Sequence, residues 1–320
     1  MYLLPKPKTI KEQDGQMLLC HSTHIVMTKE VAETEMHAAK RLQEAIRQET
    51  GLILPFSVGE VREGDLSLGI AKTLPEQTYE ITIDEKGGQI SGGDGAGVLY
   101  GVETFCQIVQ QCGGILPCVQ IQDAPDMPNR GYYFDQTRGR VLKLEELKKI
   151  ADRMCRYKLN QLQLYVEHTY LFRDFSEMWR DQTPLTAEEI RELDSYCRER
   201  HIELVPSLAS FGHLCTLLST KTYGDLCEME DSWKEPFSFW NRMRYHTINV
   251  SDERSLPLIK KMIAEYMQLF SSNKFNICAD ETFCLGKYKS KKLAEERGVH
   301  RLYIDYVKEL AQFLVENGKI

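Results

Sequence analysis

Along residues 16–121 the apolar positions switch between strand-like and helix-like spacing, which predicts a small mixed unit of strands and helices. Residues 16–27 read as strand. Residues 31–50 read as a helix, because Met36, Ala39, Leu42 and Ile46 share one stripe and Gly51 follows as a helix-ending residue. Short alternating runs predict strands at 66–70, 79–83 and 89–91, a second helix at 98–111 and a last strand at 115–121. The run Gly92-Gly93-Asp94-Gly95-Ala96-Gly97 has neither the spacing of a dinucleotide loop nor the Lys-Ser/Thr of a phosphate loop. A tight strand-to-helix turn accounts for it. Asp123-Ala124-Pro125-Asp126-Met127-Pro128-Asn129 reads as a linker, so domains are expected at 1–125 and 126–320.

From Arg130 the rhythm becomes regular strand–helix alternation, the pattern of a parallel sheet or barrel. Strands are expected at 131–135, 161–166, 202–208 and 275–279. Between them lie a helix at 143–158, with Leu144, Leu147, Ile150, Ala151 and Met154 on one face, and a helix opened by the capping box Thr186-x-x-Glu189. A long loop then leads to a helix capped by Ser251, with Pro257 in its early turns and Leu256, Ile259, Ile263, Met267 and Phe270 on its stripe. A polar segment and a helix at 303–317 follow. Only four strand–helix units are visible where a closed barrel needs eight. The fold class expected is therefore α/β, a small α+β domain followed by the first half of a (β/α)8 barrel.

Polar residues collect just past the ends of all four strands: Asp135 and Arg138, Glu167 and His168, His213, and Asp280 with Glu281. That is the rim on which barrel enzymes build active sites. Each residue alone also fits a surface acid, a structural ion pair or a loop histidine. The fourth strand, Phe275-Asn276-Ile277-Cys278-Ala279, is the most informative, because an apolar run ends abruptly on two acids. Neighbouring side chains on a regular strand point to opposite faces, so Asp280 and Glu281 share a pocket only if the backbone turns between or just after them.

Composition narrows the class. With 42% hydrophobic and 27% charged residues this is an ordinary globular chain, and its net charge of −7 offers no basic footprint for nucleic acid. No apolar run is long enough for a membrane span, and the N-terminus lacks a secretion signal, so a cytoplasmic location is expected. The ten cysteines form no CxxC pair and read as small buried hydrophobes in a reducing compartment, without disulfides or zinc.

These motifs resemble glycoside hydrolase family 20, the β-N-acetylhexosaminidases. Tyr79-Glu80-Ile81-Thr82-Ile83 through Ala96-Gly97-Val98-Leu99-Tyr100-Gly101-Val102-Glu103-Thr104-Phe105 is similar to the family's small leading domain. Arg130-Gly131-Tyr132-Tyr133-Phe134-Asp135-Gln136-Thr137-Arg138 resembles its first barrel strand, Phe211-Gly212-His213 its Pro-Gly-His, and Ala279-Asp280-Glu281 its catalytic Gly-Asp-Glu. Ala279 in place of glycine, and Glu167-His168-Thr169 after the second strand, depart from the pattern. The resemblance implies removal of terminal β-linked N-acetylhexosamine from glycans by a retaining mechanism in which the substrate's own acetamido oxygen attacks. In that scheme Glu281 is the general acid, Asp280 orients the acetamido N–H, and Arg138 clamps ring hydroxyls. His213, His168, Glu167 and Asp135 line or support the sugar site. Neither metal nor organic cofactor is needed. The family's later barrel strands supply tryptophans and a tyrosine around the acetamido group, and nothing in this sequence matches them. The open barrel edge implies self-association. Two rivals are a non-catalytic carbohydrate-binding protein on the same scaffold and a family 84-like acetamido-directed hydrolase; the Arg138 strand favours family 20.

Overall fold

Alternating apolar residues build the first unit around a seven-stranded sheet. In chain order its elements are β1 (Thr9–Leu18), β2 (Ile25–Met27), α1 (Lys29–Thr34), α2 (Met36–Thr50), β3 (Phe56–Val58), β4 (Leu66–Ile70), β5 (Tyr79–Asp84), β6 (Gly87–Gly92), α3 (Gly95–Cys112) and β7 (Ile115–Asp123). The strand order is β1-β7-β5-β6-β4-β2-β3, antiparallel from β1 to β6 and parallel from β6 to β3. Two expectations are corrected here. Residues 16–27 are two strands on different sides of the sheet, and the helix expected at 31–50 is broken at Glu35. Glu35 sits at φ −123° and ψ 29°, with its buried carboxylate bonded to His201 Nε2 at 2.8 Å. An acid held inward by a tertiary partner interrupts a periodicity that local spacing would have continued. The glycine run opens α3 with Asp94 as N-cap, its Oδ1 accepting from Gly97 N at 2.7 Å.

The computed structural model describes residues 1–320, and these divide into two units by packing. The first comprises Met1–Arg130 with Lys149–Asn160 and Cys197–Ile202; the second comprises Gly131–Lys148, Gln161–Tyr196 and Glu203–Ile320. No helix is long and apolar enough to cross a membrane. All ten cysteines are free; seven are buried, Cys112 and Cys215 are half-buried, and Cys20 is exposed, against the expectation for that one.

In the second unit, β8 (Gly131–Asp135), β9 (Gln161–Val166) and β10 (Glu203–Leu208) form a parallel sheet in the order β10-β9-β8. Asp135 pairs with Tyr165 and Leu208 with Val166, so the strands end level and the residues after them share one rim. The helices from Leu144 onward are α4 (Leu144–Arg156), α5 (Ser176–Trp179), α6 (Ala187–Arg198), α7 (Cys215–Leu218), α8 (Phe239–Arg244), α9 (Ser255–Met267), α10 (Lys291–Arg297) and α11 (Val299–Glu316), of which α4 from Lys149 and the last two residues of α6 belong to the first unit. The capping box at α6 is formed as expected: Thr186 N donates to Glu189 Oε2 at 2.8 Å and Glu189 N donates to Thr186 Oγ1 at 3.1 Å. Ser251 does not cap α9. Its N–H and hydroxyl both donate to Asn249 Oδ1, and the helix begins only at Ser255. Ile259, Met262, Ile263 and Tyr266 of α9 are buried, and Tyr266 packs on Tyr170 and Phe270 with ring centroids at 5.2 and 4.8 Å. Each such side chain contributes about 1.5–3 kcal/mol by leaving water.

The fourth expected strand is not a regular one. Residues 275–279 make a single parallel bridge, Asn276 opposite Ser207, with Asn276 N donating to Pro206 O at 2.9 Å and Leu208 N to Asn276 O at 3.0 Å. Cys278 then takes φ +43° and Glu281 φ +48°. Non-glycine residues rarely enter this left-handed region, and doing so turns the chain out of the extended form. The turn thus begins two residues before the acid pair and recurs on its second member.

Candidate active site

His213 is the fulcrum of the rim. Its backbone is left-handed (φ +59°), its side chain is almost fully buried, and its Nε2 lies 3.2 Å from Glu281 Oε2 and 3.5 Å from Asp280 Oδ2. The two acids converge on one nitrogen while keeping 65% and 44% of their side chains exposed, for Asp280 and Glu281 respectively. They are therefore held from behind and open in front. Gly212 permits this approach: a Cβ there would stand 2.5 Å from Asp280 O and 3.1 Å from Glu281 O. His213 Nδ1 is buried without a partner.

The turn that delivers the acids is tied down at several points. Cys278 Sγ lies 2.9 Å from Ser207 Oγ and 3.5 Å from the Tyr133 hydroxyl, and burial pushes the thiol's pKa up. Ser210 Oγ donates to Ile277 O at 2.5 Å, and Tyr306 OH donates to Ser210 O at 2.9 Å. Beyond the pair, Cys284 Sγ donates to Arg244 O at 3.0 Å. The buried Glu228 carboxylate accepts from Ser290 N, Ser290 Oγ and Tyr288 N at 3.0, 2.7 and 3.2 Å.

At the end of β8, Asp135 Oδ1 accepts from the backbone N–H groups of Thr137 and Arg138, both at 2.9 Å, while its Oδ2 accepts from Arg138 Nε at 2.6 Å. The guanidinium lies 4.8 Å from the centre of the Tyr165 ring, and Nη1 donates to Met243 Sδ at 3.4 Å. Asp135 thus serves to aim Arg138. Glu167 is buried and both its oxygens are engaged: Oε1 accepts from Tyr165 OH at 3.1 Å and Oε2 from Arg242 Nη2 at 2.9 Å. It braces two arginines, since Arg138 Nε is also 4.0 Å away. His168 is equally buried, with Nδ1 3.2 Å from Thr216 Oγ1. Burial, with help from the Arg242 charge, depresses its pKa to about 4, so the ring is neutral at pH 7.

Of the residues singled out from the sequence, His213, Asp280 and Glu281 form one cluster, and Asp135, Arg138 and Glu167 form another. His168 stands inside the protein beside Thr216. Tyr165, Arg242 and Met243 were missed. Tyr165 carried a signal in the polar alternation Gln161, Gln163, Tyr165 along one face of β9. Arg242 and Met243 carried none, because α8 lies in a stretch without apolar periodicity.

One nitrogen and two carboxylate oxygens, all within 4.8 Å of one another, also form a donor set of the kind that holds a divalent cation. The same arrangement of a buried imidazole behind two solvent-facing carboxyls suits proton transfer. The comparisons with known proteins bear on that choice. Residues 1–124 match the profile described as glycosyl hydrolase family 20, domain 2, and residues 127–320 match that of the glycosyl hydrolase family 20 catalytic domain. The chain belongs to glycosyl hydrolase family 20. Among curated relatives, a β-hexosaminidase of Porphyromonas gingivalis is 24% identical, covering 99% of this chain and 44% of the relative. One of Vibrio furnissii is 26% identical, covering 87% and 48%. The chain therefore spans less than half the length of these family 20 relatives. Among solved structures, a Streptomyces plicatus β-hexosaminidase in complex with GlcNAc superimposes with a TM-score of 0.82 at 20% identity, covering 99% of this chain and 64% of that one. A β-N-acetylhexosaminidase of Bacteroides fragilis gives 0.79 at 18% identity, with 99% and 65% covered. The fold is accordingly the family 20 arrangement, a leading α+β domain and the first part of the catalytic (β/α) barrel.

Proposed function

We propose that the protein to which this chain belongs is a β-N-acetylhexosaminidase that cleaves terminal N-acetylhexosamine with retention. The observation that carries the reading is the convergence of Asp280 and Glu281 on His213 with both carboxyls facing solvent. Asp280 accepts a hydrogen bond from the acetamido N–H, which turns the acetamido oxygen toward C1. As that oxygen bonds to C1, the glycosidic C–O bond breaks and Glu281 gives its proton to the leaving oxygen. The positive charge that develops on the resulting oxazolinium ring is stabilised by the Asp280 carboxylate. Water then attacks C1, delivers a proton to the Glu281 carboxylate and displaces the acetamido oxygen. Two inversions leave the configuration retained. Arg138, aimed by Asp135 and backed by the Tyr165 ring, offers Nη donors to the sugar hydroxyls. His213 is the positioning group for both acids. Support for the substrate class comes from the family membership and from relatives named β-hexosaminidase.

The test is Glu281→Gln in the full-length protein, assayed on a nitrophenyl N-acetylglucosaminide. The expected result is a fall in kcat of about 10²–10⁴-fold, with GlcNAc still bound. Binding without turnover in the unsubstituted protein, or turnover untouched by the substitution, overturns the reading; the first result makes the site a lectin-like one.

A further inference from the structure

Cys278 stands two residues before Asp280, in left-handed backbone (φ +43°) that a residue with a Cβ seldom enters. Its partners show what holds it there. Cys278 Sγ lies 2.9 Å from Ser207 Oγ and 3.5 Å from the Tyr133 hydroxyl, and that hydroxyl lies 3.1 Å from Ser207 Oγ. Each of the three groups carries one hydrogen and accepts as well as donates, so the three contacts can close into a ring. Ser207 and Cys278 are buried, whereas Tyr133 is half-exposed. The backbone is held as well: Cys278 N donates to Asn276 Oδ1 at 3.1 Å, and Asn276 Nδ2 donates to Gln163 Oε1 at 3.2 Å. Residue 278 is thereby tied to side chains of β8, β9 and β10 just before the chain delivers the acids.

The same ring of contacts reaches the arginine cluster. The Tyr133 and Tyr165 ring centroids are 6.2 Å apart, with the rings tilted at 39°. Arg138 lies over the Tyr165 ring, and the Tyr165 hydroxyl donates to Glu167. Burial pushes the Cys278 thiol's pKa up and its two hydroxyl partners pull against that; smaller opposed effects come from Asp280 and Arg138, so the thiol is within electrostatic reach of both clusters. A sugar whose acetamido group meets Asp280 and whose hydroxyls meet Arg138 needs those two groups at one fixed separation. We propose that Tyr133, Ser207 and Cys278 act as one positioning clasp, which sets the separation of the acid pair and Arg138 at which a single N-acetylhexosamine fits both. This rests on the hydrolase reading and adds to it the groups that keep the two halves of the site in register. None of the three touches the sugar; they act through Asp280, Glu281 and Arg138.

The experiment measures kcat and KM on a nitrophenyl N-acetylglucosaminide for the full-length protein and for Cys278→Ala, Cys278→Ser, Tyr133→Phe and the double variant Tyr133→Phe/Cys278→Ala. No substitution adds bulk to the core, and each removes or exchanges a single polar atom, so the variants fold; kcat is expressed per folded molecule. Expected is a kcat about tenfold lower for Cys278→Ala and for Tyr133→Phe, with KM unchanged within about twofold, because the loss falls where the geometry is most demanding. The double variant is expected to lose about as much as one single variant, since either change opens the same ring. Cys278→Ser is expected to regain most of the loss, its hydroxyl supplying both donor and acceptor. Single variants with parental kcat, losses that multiply to about a hundredfold in the double variant, or a serine no better than alanine overturns the clasp. A lowered thermal midpoint with kcat per folded molecule unchanged also overturns it and leaves the three residues as packing alone. Each of these outcomes leaves parental turnover and its loss in Glu281→Gln intact, whereas a parent without turnover overturns the hydrolase reading and the clasp with it.

Discussion

Gly212→Ala is the substitution that the site geometry judges most sharply. The added methyl carbon would lie 2.5 Å from Asp280 O, 3.1 Å from Glu281 O and 3.3 Å from Glu281 C. Real Cβ atoms essentially never come within 3.0 Å of such a neighbour and ordinary contact begins at 3.4 Å, so the Asp280 carbonyl must retreat by at least about 0.5 Å and by about 0.9 Å to relieve the strain. It cannot do so freely. Ile277 O is held by Ser210, Cys278 Sγ by Ser207, and Cys278 and Glu281 already occupy left-handed backbone. The overpacking is therefore expected to destabilise the fold by about 1–3 kcal/mol. A displacement approaching 1 Å at catalytic groups costs on the order of 10² in rate, and here it falls on both acids together. The assay is kcat on an aryl N-acetylglucosaminide for the full-length variant, alongside its thermal midpoint. Expected are a kcat loss of about 10²-fold and a midpoint lowered by several degrees, with far-ultraviolet circular dichroism unchanged. A variant with parental kcat and midpoint would refute the claim that the backbone of residue 212 sets the position of the acid pair.

Three further outcomes follow from the surrounding contacts. His168 has a folded pKa near 4 against an unfolded value near 6.5, so the unfolded chain takes up its proton first as pH falls. The stability tied to its neutral form is complete above pH 6.5 and is lost between there and pH 4, at up to about 1.4 kcal/mol per unit; His168→Gln should flatten that slope in urea titrations at pH 7 and pH 5, and an unaltered slope rejects the assignment. Arg242→Ala leaves the Glu167 carboxylate buried with one oxygen stripped of its donor, which is expected to cost about 3–5 kcal/mol in denaturant unfolding, more than Arg242→Lys; a neutral Arg242→Ala contradicts the brace. Exhaustive chelation should leave kcat on the aryl glycoside within twofold, since His213, Asp280 and Glu281 work as a proton-transfer group in this mechanism; a loss restored by a divalent ion makes them ligands instead.

Much of the architecture was legible because it follows from local periodicity. The strands at 66–70 and 161–166, the Thr186–Glu189 box and the strand–helix rhythm after Arg130 depend on side chains a few residues apart, so their pattern survives in the linear chain. The rim was partly legible for the same reason: Asp135 ends β8 and Glu167 follows β9, and parallel strands that end level bring such residues together, whereas Asp280 follows a single bridge and a turn. Family membership likewise rests on order in the chain, over residues 1–124 and 127–320.

What the tertiary structure alone decided depends on partners distant in sequence. Glu35 breaks a helix because His201 holds its carboxylate, and the strand before the acids collapses to one bridge because the backbone turns at Cys278. Glu167, which reads as a rim acid, is buried between Tyr165 and Arg242, and the arginine comes from a segment with no periodic signal at all. Periodicity records which face of an element is apolar; it holds no information on which remote charge will neutralise a buried one, and here that choice separates the acids left open to solvent from the acid that holds the wall.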